Sequence, residues 1–322
     1  MNGGRELPAA YGGDGWSPRV SSSRDELGTI WRSCGVSTEW SSLKAVLLHR
    51  PGAEVEDIRD PNSVQMLDHV DPVRIRQEHD DLAEAYRRAA VEVLYVEPRT
   101  TPPVNLMFVA DLFFPTPEGM ILSRPASTVR AGEERVVGQR LGELGIPILR
   151  TISGSGLFEG SDAMWIDSRT VLLSTGLRTN KSGAQQVAHL LNDMEVEVIH
   201  GELLRTAMHL MGTLRIVDER LAIAWPTLAP EVHIRALEKR GIEVLYVPDA
   251  QEAVYGAALN FVTLASRKIL MPAGNPRTQA FYEMHGIACE VVHVDELKKA
   301  AGSIGCLTGV LARGDREPQA VP

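Results

Sequence analysis

The stretch D-A-M-W-I-D-S-R-T-V-L-L-S-T-G, residues 162–176, together with V-E-V-I-H at 196–200, decides how this chain folds. Two short apolar runs meet across Asp167, Ser168 and Arg169, residues suited to a tight turn, and so predict a hairpin. An amphipathic helical run comes next, and a β-branched strand closes the segment. The unit reads strand, strand, helix, strand.

Working outward, the closing strand recurs as V-E-V-L-Y-V from Val91, G-I-P-I-L-R from Gly145, G-I-E-V-L-Y-V from Gly241 and G-I-A-C-E-V-V-H-V from Gly286. The returns are about 45 to 55 residues apart, a period typical of repeated supersecondary units. Matching hairpins precede them: N-L-M-F-V-A-D-L-F-F with G-M-I-L-S-R-P, T-L-R-I-V-D with L-A-I-A-W-P, and N-F-V-T-L-A with K-I-L-M-P-A-G. The first copy is incomplete, with only L-K-A-V-L-L-H-R, a helix over Val73–Ala90 and V-E-V-L-Y-V. Its missing strand is supplied if G-C-L-T-G-V-L-A-R, residues 305–313, pairs beside Leu43–Arg50, which closes five units into a ring. A doubly wound open sheet expects single strands alternating with helices and accommodates the extra hairpin strands poorly. No Gly-rich phosphate loop of the required spacing is present.

The 322-residue length permits one large or two ordinary domains. Residues 1–40, rich in Gly, Ser and charge, predict a flexible extension anchored only where Trp16, Trp31 or Trp40 finds a surface. Residues 41–316 predict a single catalytic domain. No apolar run approaches a membrane span and M-N-G-G-R-E-L lacks the apolar core of a secretory signal, so a cytoplasmic location is expected. Cys34, Cys289 and Cys306 are too scattered for a disulfide framework or a zinc knuckle. The net charge of −9 disfavours nucleic acid and suits a cationic small molecule. The histidines show no metal-ligand spacing, and signatures for PLP, flavin and NAD are missing, so neither metal nor cofactor is expected. A homo-oligomer is left open.

Unusual polar residues fall at corresponding places in successive units, where a ring would bring them to one site. They are Asn105 and Asp111 in N-L-M-F-V-A-D, Glu159 and Asp162 in F-E-G-S-D, His209 in M-H-L-M, and Cys306 among Gly302, Gly305 and Gly309. Singly, each has an ordinary reading as a cap, a turn acid, a core histidine or a small buried thiol. Together they suit attack on a guanidinium. Carboxylates such as Asp111 and Glu159 grip its planar N–H edges, and the bound cation favours the thiolate of Cys306. His209 can protonate the departing nitrogen.

The same residues carry a resemblance. The chain from about Leu43 to Arg313 resembles the guanidino-group-modifying enzymes of the pentein fold: arginine deiminases, dimethylarginine dimethylaminohydrolases and amidinotransferases. V-L-L-H-R-P-G followed by Q-E-H-D looks like arginine deiminase, N-L-M-F-V-A-D is similar to the family's Asn-Leu-Tyr-Phe-x-Arg-Asp, and F-E-G-S-D is similar to its Glu-Gly-Gly-Asp. The resemblance implies a pentein α/β propeller of five ββαβ-type repeats in a pseudo-fivefold ring. It implies Asp111 and Glu159 as guanidinium ligands, His209 and Cys306 as the catalytic pair, and Arg124 and Arg178 as ligands for the carboxylate of an arginine-like substrate. Ala110 and Met211 stand where parts of the family have Arg and Asp. The expected reaction is hydrolysis to a ureido product such as citrulline. Amidino transfer to an amine is the alternative, and a non-catalytic binder of arginine-like ligands is the alternative of another class.

Overall fold

The computed structural model describes residues 7–314; residues 1–6 of the expected extension and 315–316 of the expected domain lie outside the described residues. The first sheet begins with β1 (Leu43–Leu48), α1 (Pro72–Arg88) and β2 (Glu92–Tyr95). Three full units follow: β3 (Phe113–Thr116), β4 (Gly119–Leu122), α2 (Glu133–Glu143) and β5 (Ile148–Thr151); β6 (Ala163–Asp167), β7 (Thr170–Thr175), α3 (Lys181–Asp193) and β8 (Glu197–Glu202); β9 (Leu214–Asp218), β10 (Leu221–Ala224), α4 (Glu231–Lys239) and β11 (Glu243–Tyr246). A short helix α5 (Ala250–Val254) leads into β12 (Val262–Ala265), β13 (Lys268–Pro272), α6 (Pro276–Met284) and β14 (Ala288–Val292). Two single-turn helices, α7 (Asp295–Lys299) and α8 (Ile304–Leu307), precede β15 (Gly309–Arg313).

These strands form five separate three-stranded sheets among the described residues. In each full unit the hairpin is antiparallel and the strand after the helix returns parallel. The first sheet is completed from the far end of the chain, as its missing strand required: β15 pairs antiparallel with β1, Val46 opposite Val310, and β1 runs parallel to β2. Gly35 N bonds to Leu311 O at 2.8 Å and Val36 is buried, so the chain just before β1 packs onto the same strand.

Local chemistry explains the units. The 167–169 turn is held by Arg169 N donating to Asp167 Oδ1 at 2.8 Å, and Arg220 N does the same with Asp218 at 2.9 Å in the next unit. Helix α3 starts where the Asn180 side chain caps Gly183 N at 2.8 Å. Its Ala184, Val187, Ala188 and Leu191, at helical spacing, bury one stripe against Trp165, Val171 and Leu173. Burial of a Val or Leu side chain contributes about 1.5–3 kcal/mol. Leu191→Ala is therefore expected to cost about 2–5 kcal/mol, read as a lower urea midpoint with an unchanged slope.

Two stretches read as strand are not strand. In N-L-M-F-V-A-D-L-F-F only Phe113 onward is extended, and residues 104–111 form consecutive turns whose amides bond locally, Phe108 N to Asn105 O and Leu112 N to Val109 O, both at 3.0 Å. Leu106, Met107 and Val109 are buried on every side, so no apolar and polar alternation exists to set a strand. Cys306 likewise sits in α8, and the strand starts at Gly309.

This turn-then-strand arrangement positions the site. Short helical turns at Val109–Asp111, Gly160–Asp162, Leu210–Gly212 and Ile304–Leu307 immediately precede β3, β6, β9 and β15. The second turn touches the first and third, and α8 touches the first. No described helix is long and apolar enough to cross a membrane.

Candidate active site

Close backbone approach brings the turns together. A Cβ on Gly160 would lie 2.1 Å from Phe113 O and 2.7 Å from Ala110 O, so glycine is what lets the Glu159 segment lie against the Asp111 turn. On the far side, a Cβ on Gly305 would lie 2.7 Å from Asn260 Oδ1. That closeness lets Asn260 hold Cys306 at two points: its amide donates to Sγ at 3.0 Å and its Oδ1 accepts from Cys306 N at 3.2 Å.

The turns surround a narrow cleft whose wall includes Asn105, Asp111, Arg130, Arg178, His209 and Cys306. His209 Nε2 is 2.6 Å from Glu159 Oε2 and 3.6 Å from Asp111 Oδ1. Glu159, fully buried behind His209, also accepts from Ala126 N at 3.0 Å and lies 3.5 Å from Arg178 Nη1. Asp111 accepts from Ser161 Oγ at 2.5 Å and from Arg130 Nη1 at 2.6 Å. Arg130, itself buried, continues to Glu133 Oε2 at 2.9 Å and to Phe108 O at 3.2 Å. Asn105 donates to Val64 O at 2.8 Å, and among the described residues its buried Oδ1 on the cleft wall has no partner.

The electrostatics follow from this crowding. Burial works against the charged form of His209, but Asp111 and the bond to Glu159 outweigh it and hold the imidazole protonated well above its usual range. Burial likewise opposes ionised Glu159, and the His209 bond overrides it, so this carboxylate titrates well below normal. Burial and Asp111 push the Cys306 thiol up, while the Asn260 bond and the charge of Arg215 pull it back. Burial lifts Glu133 to about 7 despite Arg130, and lifts Asp162 to about 6.

Of the residues singled out in the sequence, Asn105, Asp111, Arg178, His209 and Cys306 share the cleft, with Glu159 directly behind His209. Asp162 is buried below the cleft, where Thr179 Oγ1 at 2.7 Å and Leu210 N at 3.1 Å hold its oxygens. It thereby ties down the residue next to His209. Arg124 is exposed, does not line the cleft and donates to Gly156 O at 3.0 Å. Met211 points into an interior cavity rather than the cleft, and Ala110 packs at the Asp111 turn. Sequence reading passed over Arg130, Ser161 and Asn260. Arg130 carried one usable signal, an i,i+3 pairing with Glu133 at the start of α2.

The ligand atoms of Asp111, Glu159 and His209 lie within 4.8 Å of one another, close enough to embrace a metal ion. The set also holds a guanidinium, because that of Arg130 bonds Asp111 and lies 3.7 Å from Glu159 Oε2. A thiol, a charged histidine and a carboxylate paired to an arginine therefore share one cleft, in a chain whose relatives belong to the pentein superfamily of guanidino-group-modifying enzymes. The chain is a member of the N,N dimethylarginine dimethylhydrolase family, whose eukaryotic model matches residues 62–312. It is 27% identical over 282 residues to the uncharacterized protein YkgA of Bacillus subtilis, covering 86% of this chain and 95% of that one. It is 23% identical over 240 residues to the N(G),N(G)-dimethylarginine dimethylaminohydrolase of Pseudomonas aeruginosa, covering 74% and 89%. A solved structure of the Pseudomonas aeruginosa enzyme, a cysteine-to-serine mutant complexed with citrulline, superposes with a TM-score of 0.70 at 19% identity, covering 84% of this chain and 99% of that one. SxtG, an amidinotransferase from Microseira wollei, superposes with a TM-score of 0.68 at 17% identity, covering 88% and 98%. Both likenesses show that the fold is shared.

Proposed function

We propose that residues 41–316 act as one catalytic unit, five sheets set as the blades of a ring, hydrolysing a guanidino C–N bond of arginine or an N-substituted arginine. The observation that carries this reading is the single cleft that unites Cys306, His209 and Asp111, with Asp111 already paired to a guanidinium.

The substrate guanidinium donates to Asp111 and to the unpartnered Oδ1 of Asn105, and its positive charge favours the Cys306 thiolate, whose proton leaves to solvent. Sulfur adds to the guanidinium carbon. Protonated His209 gives its proton to the departing nitrogen, the C–N bond breaks, and ammonia or an amine leaves an amidino-thioether on Cys306. Neutral His209, still aligned by Glu159, then takes a proton from water as its oxygen adds to the same carbon. Thiolate is expelled and the ureido product departs.

Arg178 lies on the cleft wall and is suited to the substrate carboxylate. Arg178→Ala is expected to raise KM for arginine about 10- to 100-fold, the worth of one charge-assisted bond, and to leave the KM for agmatine unchanged. Equal losses for both substrates, or a comparable loss in Arg124→Ala, would reassign the clamp.

One observation favours amidino transfer as a second reading. A wider pocket of about 880 Å³ shares Met208 and Ala301 with the cleft and reaches Asn260, giving an amine acceptor room beside the nucleophile. Incubation with arginine, its N-methylated forms and agmatine, with and without glycine, lysine or ornithine, separates the readings by mass spectrometry. Citrulline formed without an acceptor supports hydrolysis, and turnover only with an acceptor rejects it. Ligand binding with no turnover under any condition supports a binding protein, for which the Asn260 grip on Cys306 has no use.

A further inference from the structure

A second cavity lies along the first strands of the sheets, behind the catalytic turns. Its two lobes share Glu39, Met164, Met211, Arg215, Val310 and Arg313. Arg215, on β9, is only 7% exposed, yet among the described residues its guanidinium has no hydrogen-bond acceptor and no ion-pair partner. It rests over the Phe261 ring, with Cζ 5.3 Å from the centroid. Arg313 reaches the same cavity. Its Nη1 donates to Ser41 O at 2.9 Å and Thr263 O at 2.7 Å, while its buried Nε has no partner among the described residues. Among the described residues the one carboxylate on this wall is Glu39, whose Oε1 accepts from Trp165 N at 3.3 Å and which acts on both arginines only at a distance, without an ion pair to either.

A guanidinium does not shed its proton, and one whose nitrogens face only a cavity lacks the acceptor that would offset its removal from bulk water. A built cavity with such a group on its wall is prepared for an acceptor from outside. Two cations against one carboxylate leave a single uncompensated positive charge. The planar forked donors of arginine match planar oxyanions, and Met164, Met211 and Val310 are poor company for a strongly hydrated multivalent ion.

We propose that this cavity binds a small monovalent planar oxyanion of the carboxylate type, gripped by the Arg215 guanidinium and the Arg313 Nε. The site adjoins the nucleophile: Arg215 Nη2 stands 2.9 Å from the point a Cβ on Gly305 would occupy, one residue from Cys306. An anion there cancels a positive charge that favours the thiolate, so it lowers turnover. This consequence rests on Cys306 being the nucleophile; binding itself does not.

The test is titration of the full chain with ¹³C-acetate at constant ionic strength, followed by NMR line broadening. Saturable binding is expected in the wild type and in Arg178→Ala, with affinity at least tenfold weaker, about 1.4 kcal/mol, in Arg215→Met. Circular dichroism checks the fold. If Arg215→Met does not fold, Arg215→Lys keeps the charge without the fork and is expected to bind several-fold more weakly. No saturable binding, equal affinity in the Arg215 variants, or loss in Arg178→Ala overturns the proposal. Acetate inhibition of turnover that is as strong in Arg215→Lys as in the wild type overturns the coupling to Cys306.

Discussion

Cys306→Ala is expected to reduce turnover on the order of 10⁴- to 10⁶-fold while leaving the fold and substrate affinity nearly intact. The sulfur is the atom that would carry the amidino group between the two half-reactions, and among the described residues of the cleft wall there is no second thiol and no hydroxyl to replace it. Asp111, Asn105 and Arg178 remain, so the Kd for arginine, measured calorimetrically, should change by no more than a few-fold. A variant that keeps binding and loses chemistry separates the enzymatic reading from that of a binding protein. A variant that turns over at the wild-type rate ends the covalent account.

Glu159→Gln is expected to lower kcat about 10²- to 10⁴-fold near neutral pH and to move the alkaline limb of the pH profile down. Glu159 makes the 2.6 Å bond to His209 Nε2 that, with Asp111, overcomes the effect of burial and keeps the imidazole protonated. Glutamine keeps the shape and removes the charge, so less of the general acid is present at a given pH.

Stability carries the same signature. His209 is raised from 6.5 to about 9, so its contribution to stability is complete below 6.5 and is lost as pH rises through about 9. Glu159 is lowered from 4.5 to about 2, so its contribution is present above 4.5 and is lost as pH falls through about 2. The two describe one interaction seen from its two ends, and it is whole between about 4.5 and 6.5. Urea midpoints at a series of pH values should decline on the alkaline side in the wild type and flatten in Glu159→Gln. The variant should also lose about 3–5 kcal/mol at the optimum, because a buried cation is left without its partner. An unchanged alkaline slope would place the titrating group elsewhere.

The repeats were legible because their hairpins alternate or run apolar over a few residues and end in turn residues that act locally, as Asp167 and Asp218 do. The completion of the first sheet by β15 was legible for a different reason: the first copy lacked a strand and the last segment had one to spare. Asp111, His209 and Cys306 stood out jointly, because polar or reactive residues fall at corresponding places of successive units. Arg130 and Asn260 did not, since their partners Asp111 and Cys306 lie 19 and 46 residues away and local periodicity says nothing about contacts at that distance. Arg215 was hidden for the opposite reason: T-L-R-I-V-D reads as an ordinary strand, and only packing reveals that its arginine points inward. Arg124 and Arg130 are six residues apart, and apart from the spacing of Arg130 to Glu133 only the fold tells the exposed one from the buried one.

The most direct measurement is rapid acid quench of the protein turning over arginine or an N-methylarginine, followed by peptide mass spectrometry. An amidino adduct is expected on the peptide that contains Cys306, present during turnover, discharged when substrate is exhausted, and absent from Cys306→Ala. Formation of citrulline at an undiminished rate in Cys306→Ala, with no adduct on the wild-type peptide, would contradict the covalent mechanism.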